Sequence, residues 1–96
     1  MKRIDILKEA HKLLNKIYAK PGICVAIGEV FESKGIFITY KEIPDYFPLF
    51  TLENAKRFGA KKGLFWWDYS YGLFSGRRRF MRWLMKQYKN DKEEII

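Results

Sequence analysis

The first 34 residues alternate apolar and polar positions with the period of a helix. Between Arg3 and Lys20 the apolar residues recur every three or four positions, and a row of lysines follows the opposite side. This pattern predicts an amphipathic helix whose lysine row faces solvent. A second helix is predicted over residues 21–34, because Pro21 suits a first helical position and Gly35 suits the left-handed residue that ends a helix. The short turn between the two helices favours antiparallel packing.

The middle of the chain contains a short helical turn that a proline is expected to end. Thr39 and Glu42 have the spacing of a capping box, which predicts a helical turn beginning at Tyr40. Pro44 disfavours a helical residue before it, so the turn is expected to stop there. Residues 44–50 are then expected to wrap around the core as an extended or turn-like segment.

Two further helices are predicted on either side of an aromatic segment. The first covers residues 52–58, with Thr51 as its N-cap. The second covers residues 77–89, with Ser75 as its N-cap. Between them, over residues 63–74, aromatic residues alternate with other residues, as they do in a strand with one aromatic face.

Together these elements predict one compact, mainly helical domain over residues 1–96. It would contain four to five short helices, with the aromatic, strand-like segment before the C-terminal helix. Residues 90–96 are expected to form a frayed tail. A length of 96 residues suits one hydrophobic core and excludes a second domain. The single cysteine, Cys24, excludes an internal disulfide and is expected to be an inert core thiol.

The positive charge of the chain is concentrated in one part of the sequence. The formal net charge is +8, and 18% of the residues are aromatic. Residues 52–89 hold ten Lys or Arg against two Asp or Glu, and they contain all three tryptophans. This asymmetry indicates an anionic partner. Because no apolar run approaches the length of a membrane span, we expect no membrane partner, and together with the single cysteine this favours a location in the cytoplasm.

Three consecutive arginines open the predicted C-terminal helix. The unpaired N–H groups of a helix N-terminus already carry partial positive charge, so local rules disfavour arginines there. A phosphate would offset this cost, because N–H groups and guanidinium groups both donate hydrogen bonds to it. The sequence therefore predicts a phosphate site. The residues expected to bind phosphate are Arg77, Arg78, Arg79, Arg82, Lys61 and Lys62.

Aromatic side chains close to these cations are candidates for stacking on a nucleotide base, where each stacked base contributes about 1–3 kcal/mol. The candidates are Trp66, Trp67, Tyr69 and Tyr71. Two structural alternatives stay open. The tryptophans could belong to the core, as large apolar residues usually do. The arginines could be neutralised within the chain, by Asp68, Asp45, Glu53 or the acidic tail.

The residues give little support for catalysis. The single histidine, His11, lies on the apolar stripe of the first helix, and no nucleophile and base are paired in the sequence. Neither a glycine-rich phosphate loop nor a metal-binding motif is present. We therefore expect a protein that is not an enzyme and that needs no cofactor or metal. A weak nuclease or phosphotransfer role for Asp68 with the arginines is the alternative.

The second half of the chain resembles a group of small uncharacterised proteins carried by phages and prophages of Bacteroides-type gut bacteria. The resemblance lies in the run from Tyr46 to Ala60, in the Phe-Trp-Trp sequence at residues 65–67 and in the closing run from Arg78 to Leu84. It implies a short phage-borne protein that binds host machinery or a host signal. Proteins that sequester the signalling nucleotides of antiphage defence are one such class.

Three binding functions and the enzymatic alternative follow from the sequence. The first is non-enzymatic capture of a small phosphorylated ligand, such as a signalling nucleotide of host defence, which a homodimer or higher oligomer would favour because a shared pocket excludes solvent. The second is binding of DNA or RNA along the basic C-terminal helix. The third is a protein–protein inhibitor or a structural phage protein.

Overall fold

The computed structural model describes residues 1–16, 21–61 and 74–96. Within these ranges the protein is mainly helical, as the sequence predicts, and contains no strand. The elements in chain order are α1 (Arg3–Leu14), α2 (Ile23–Ser33), a 3₁₀ turn (Tyr40–Glu42), α3 (Ile43–Tyr46), α4 (Leu52–Lys56) and α5 (Arg77–Gln87). The predicted strand-like segment lies outside the described residues, apart from Phe74.

The core forms where α1 packs against both α2 and α5. One side of α1 is buried, including Ile6, Leu7 and Leu14. The facing side of α2 buries residues at the same helical spacing, among them Ile27 and Phe31. Each such side chain contributes about 1.5–3 kcal/mol relative to an exposed one. This burial explains why the amphipathic pattern of the sequence is a reliable guide to the helices.

Aromatic rings from the segment after α3 complete the core. Phe47 and Phe50 are fully buried. The ring of Phe47 meets the rings of Phe31 and Tyr88 edge-on, at centroid distances of 6.4 and 5.8 Å. The backbone N–H of Leu49 donates to the hydroxyl oxygen of Tyr88 over 2.8 Å. This segment therefore links α2 to the end of α5.

The helical turn at Tyr40 begins as predicted but does not end at Pro44. Thr39 and Glu42 form the expected capping box. The chain then continues through Pro44 as α3, which corrects the prediction of an extended segment directly after residue 43. Proline is accepted here because it lies in the first turn of a helix, where its missing N–H would have no partner within the helix.

The N-cap of α5 is Gly76, whereas the sequence indicates Ser75. A Cβ atom built on Gly76 would lie 1.8 Å from the carbonyl oxygen of Phe58. Only glycine therefore lets the start of α5 lie so close to the turn after α4. The cap of α4 is the predicted one, since the hydroxyl of Thr51 accepts from the N–H of Asn54 over 3.2 Å.

The C-terminal tail is held against the N-terminus, which corrects the prediction of a frayed end. Arg3 Nη1 lies 3.0 Å from a carboxylate oxygen of Asp91 and 3.0 Å from one of Glu93. The amino group of Met1 lies 2.8 Å from Glu94. These ion pairs hold the C-terminal tail against the N-terminus. They also mean that the carboxylates of the tail are already paired with cations at the start of the chain.

The predicted environment of Cys24 is confirmed. The side chain is fully buried on α2. Burial raises the pKa of its thiol, because the charged thiolate is disfavoured away from water. The thiol is therefore unreactive in the folded protein, as expected of a core cysteine.

Candidate phosphate-binding face of α5

The C-terminal helix has one apolar side and one basic side. Phe80 and Leu84 are fully buried against the core, and no acidic residue occurs in α5. The period of 3.6 residues per turn places the remaining cations on the outer side. We call this exposed set the basic face; it consists of Arg78, Arg79, Arg82 and Lys86.

None of the ion pairs in the described part of the chain involves the basic face. The acidic tail pairs with Arg3 and the N-terminus, and Glu53 lies 4.0 Å from Lys56. Glu53 and the acidic tail, two of the groups that could have neutralised the arginines within the chain, are therefore paired with other cations. Asp68 lies outside the described residues, and Asp45 makes no ion pair within them. Within the described ranges the side chains of the basic face are exposed.

Arg77 differs from the other arginines because its side chain is buried. It is 9% exposed. Its Nε donates to the carbonyl oxygen of Pro21 over 3.0 Å, and its Nη1 donates to the carbonyl oxygen of Phe74 over 2.9 Å. Burial and the neighbouring charge of Arg78 lower the pKa of Arg77. These contacts give Arg77 a structural role and do not support its predicted role as a phosphate ligand.

The N-terminus of α5 offers two backbone donors next to the basic face. The N–H groups of Arg78 and Arg79 have no backbone acceptor among the described residues. Such groups are usual in the first turn of a helix, where they attract anions. Here the side chains of the same two residues are exposed beside them. Backbone and guanidinium donors are thus available at one place, and their role as a phosphate site stays a prediction.

His11 of α1 borders the basic face on one side. Its Nε2 atom is shielded from solvent and has no hydrogen-bond partner among the described residues. Burial, followed by the charges of Arg82 and Arg78, lowers the pKa of His11. The imidazole is therefore close enough to Arg78 and Arg82 for its pKa to depend on their charge. The sequence did not indicate this proximity, because it depends on how α1 packs against α5.

Trp83 and Arg57 border the basic face on the other side. The guanidinium carbon of Arg57 lies 5.2 Å from the centroid of the Trp83 ring, within the range of a cation–π contact. Trp83 is half-buried and stacks on Phe80 at a centroid distance of 5.9 Å. The sequence analysis did not select this pair. The sequence feature that could have indicated it is the position of Trp83, one turn after Arg79 on the basic helix.

The other predicted site residues are only partly covered by the structure. Lys61 is exposed after α4 and makes no ion pair within the described ranges. Lys62 and the four base-stacking candidates, Trp66, Trp67, Tyr69 and Tyr71, lie outside the described residues. Their assignment stays a prediction.

Two further properties limit the chemistry that the described residues offer. No group of His, Cys, Asp or Glu among them is arranged to hold a metal ion. None of the described helices has the length and apolar character needed to cross a membrane. What the described part does offer is an array of hydrogen-bond donors with positive charge.

Comparisons with family models, with curated proteins and with solved structures find no match to this chain. The resemblance to phage-borne proteins therefore stays a prediction. The functional argument depends on the geometry of α5 and its neighbours.

Proposed function

We propose that the protein binds the phosphate groups of a nucleic-acid strand through the basic face of α5, without catalysing a reaction. The observation that carries this proposal is the set of four exposed cations on one side of one helix, with no carboxylate partner in the described part of the chain. Like charges one turn apart destabilise a helix slightly. Phosphates from outside the chain would remove that repulsion and replace it with charge-assisted hydrogen bonds.

The dimensions of the basic face suit a strand with repeated phosphates. Arg78 and Lys86 are eight residues apart, which corresponds to about 12 Å along a helix. One strand of duplex DNA carries a phosphate about every 3.4 Å of helix axis and winds as it rises, so a straight row of cations of this length can reach more than one phosphate. Arg78 and Arg82 are one turn apart, so they would contact different phosphates.

The shape of this surface favours a strand over a small ligand. The basic face lies on the outer, convex side of α5. Small ligands are generally bound in concave pockets that cover most of their surface. A strand needs only a row of donors.

A small phosphorylated ligand is the second candidate, and the start of α5 favours it. The N–H groups of Arg78 and Arg79, which have no backbone acceptor in the described part of the chain, and their exposed side chains could hold one phosphate between them. Capture of a signalling nucleotide by a phage-borne protein would take this form. Such a ligand would leave Lys86 unused, because that residue lies about two turns further along the helix.

The proposal is tested by fluorescence anisotropy with labelled 20-nucleotide single strands and duplexes. The variant should lack the charges of the basic face, and we choose R78Q/R79Q/R82Q/K86Q. A matched control, K16Q/K41Q/K56Q/K92Q, removes the same charge from exposed positions outside α5. We expect the first variant to lose about 100-fold in affinity and the control to lose about threefold or less.

Two results would contradict the proposal. Equal losses in the two variants would mean that binding depends on net charge and not on α5. Absence of binding by the wild-type protein to any strand, together with tight binding of a mononucleotide or cyclic dinucleotide, would establish the second candidate instead.

A further inference from the structure

A groove on another side of the protein has an acidic and aromatic character. It has a volume of about 510 Å³ and lies between α2 and the segment of residues 36–40 that follows it. Its apolar lining includes Val25, Ile38 and Tyr40. The volume is in the range of sites that hold ligands or short segments. The groove is open to solvent, so a segment of another chain can reach its lining.

Phe37 lines this groove with its ring turned largely to solvent. It is 80% exposed and is the large hydrophobic residue that stands out in this respect in the described part of the chain. Because the ring is exposed, it adds little to the packing of the core. The stability of the fold therefore does not explain why a large apolar side chain occupies this position. A partner that covered the ring would gain the free energy of burying an aromatic side chain.

Two carboxylates line the same groove, and neither has an ion-pair partner among the described residues. Glu29 and Glu32 lie one turn apart on α2 and are exposed. By contrast Glu9, on the neighbouring α1, lies 3.6 Å from Lys34. In a chain with a net charge of +8, these two carboxylates, which are unpaired within the described ranges, give the groove a local charge opposite to that of the whole molecule.

The carboxylates and the aromatic residues line the same groove and lie close to each other. Burial, together with the charge of Glu29 as a smaller cause, raises the pKa of the Tyr40 hydroxyl. Glu29 is thus near the aromatic lining as well as on the wall of α2. An occupant of the groove would meet apolar surface and negative charge at the same time.

We propose that this groove docks an extended, basic segment of a partner protein, with an apolar side chain against Phe37 and Tyr40 and cationic side chains beside Glu29 and Glu32. Charge complementarity selects a basic occupant. The exposed ring selects one that also carries apolar side chains.

A second copy of this chain is a poorer occupant of the groove. Its α5 would supply cations, but the apolar side chains of that helix, such as Phe80 and Leu84, are buried in its own core. The net charge of +8 on each copy also opposes association. The groove and the basic face share no residue, so the docking proposal does not depend on nucleic-acid binding.

The test uses three capped eight-residue peptides as probes, titrated into the full-length protein by calorimetry and by amide NMR. One alternates Arg and Leu, the second alternates Gln and Leu, and the third alternates Arg and Ser. We expect the Arg–Leu peptide to bind, with amide shifts centred on Gly28 and Thr39. The other two should bind about tenfold more weakly, because each lacks one of the two required features.

Variants identify the groove as the binding surface. E29Q/E32Q and Phe37→Ala should each weaken binding of the Arg–Leu peptide about tenfold, with unchanged thermal unfolding, since all three side chains are exposed. Glu53→Gln is the control, because it removes an exposed carboxylate on α4 and should leave binding unchanged.

Three outcomes would overturn the docking proposal. The first is that no peptide binds. The second is that the Arg–Leu peptide binds with shifts centred outside the groove, or with the same affinity to E29Q/E32Q. The third is concentration-dependent dimerisation of the wild-type protein that E29Q/E32Q abolishes, which would assign the groove to a second copy. A protein that fails to bind nucleic acid but still binds the Arg–Leu peptide would contradict the proposed function alone.

Discussion

Arg77 Nε donates a hydrogen bond to the carbonyl oxygen of Pro21 over 3.0 Å, and this contact joins the start of α5 to the residues just before α2. A second donor of the same guanidinium binds the carbonyl oxygen of Phe74. The charge is therefore surrounded by backbone carbonyl dipoles, with no carboxylate paired to it in the described part. Three consecutive arginines thus divide into one structural residue and two exposed ones.

Replacing Arg77 is expected to affect stability, and replacing Arg78 to affect only binding. Arg77→Ala should lower the free energy of unfolding by about 2 kcal/mol, because it removes two side-chain hydrogen bonds and leaves the carbonyl oxygen of Pro21 without its donor, whereas that of Phe74 keeps the backbone N–H of residue 77. Arg78→Ala should change it by less than about 0.5 kcal/mol, since the residue is exposed. Urea denaturation measures both values. Unchanged stability of Arg77→Ala with weaker strand binding would restore Arg77 as a ligand.

Gly76, the N-cap of α5, and Gly28, inside α2, are expected to respond in opposite ways to alanine. Gly76→Ala should lower the free energy of unfolding by more than about 2 kcal/mol, because its Cβ would lie 1.8 Å from the carbonyl oxygen of Phe58. Gly28→Ala should raise it by about 0.5–1 kcal/mol, because its Cβ would meet Tyr40 at an ordinary 3.9 Å and alanine favours a helix.

Thermal and urea unfolding of the two glycine variants provide the comparison, and each serves as the control for the other. A stable Gly76→Ala protein would mean that the start of α5 is free to move away from the turn after α4. That result would contradict the close contact between Gly76 and Phe58, which positions the basic face.

The helices and their charge pattern could be predicted because they depend on neighbouring residues. The capping box of Thr39 and Glu42, the Thr51 cap and the row of arginines on α5 all involve residues within one or two turns of each other. Period, capping chemistry and composition determine such features locally.

Contacts between distant residues could not be predicted from the same pattern. Arg3 and Asp91, 88 positions apart, form the pair that orders the tail. The burial of Arg77, its contact with Pro21 and the approach of Gly76 to Phe58 also arise only when α5 packs on the rest of the chain. The sequence therefore indicated three equivalent arginines at the start of the helix, because nothing local distinguishes them.

The pKa of His11 is expected to follow the charge of the basic face. Burial and the charges of Arg82 and Arg78 hold it below the ordinary value of a histidine. R78Q/R82Q should therefore raise the His11 pKa, and so should a bound oligonucleotide, whose phosphates offset the same charges. Arg57→Gln, on the other side of Trp83, should leave it unchanged. An NMR titration of the imidazole resonances measures all four states.

The sign of the pH effect on stability follows from the same lowered pKa. Because the unfolded chain binds a proton on His11 more readily than the folded one, the protein should lose stability as the pH falls below the ordinary histidine pKa. Above that pH His11 is neutral in both states and contributes no pH dependence. His11→Gln should abolish this dependence. If the pKa of His11 is the same in R78Q/R82Q as in the wild-type protein, that result would contradict the placement of α1 beside the basic face.

The central claim is that the cations of α5 contact several phosphates of one strand, and the salt dependence of duplex binding tests it most directly. Four phosphate contacts predict a plot of the logarithm of affinity against the logarithm of salt concentration with a slope of about −3.6. Arg82→Gln should reduce the steepness by about 0.9. A slope near zero, or an equally steep one in R78Q/R79Q/R82Q/K86Q, would contradict the account.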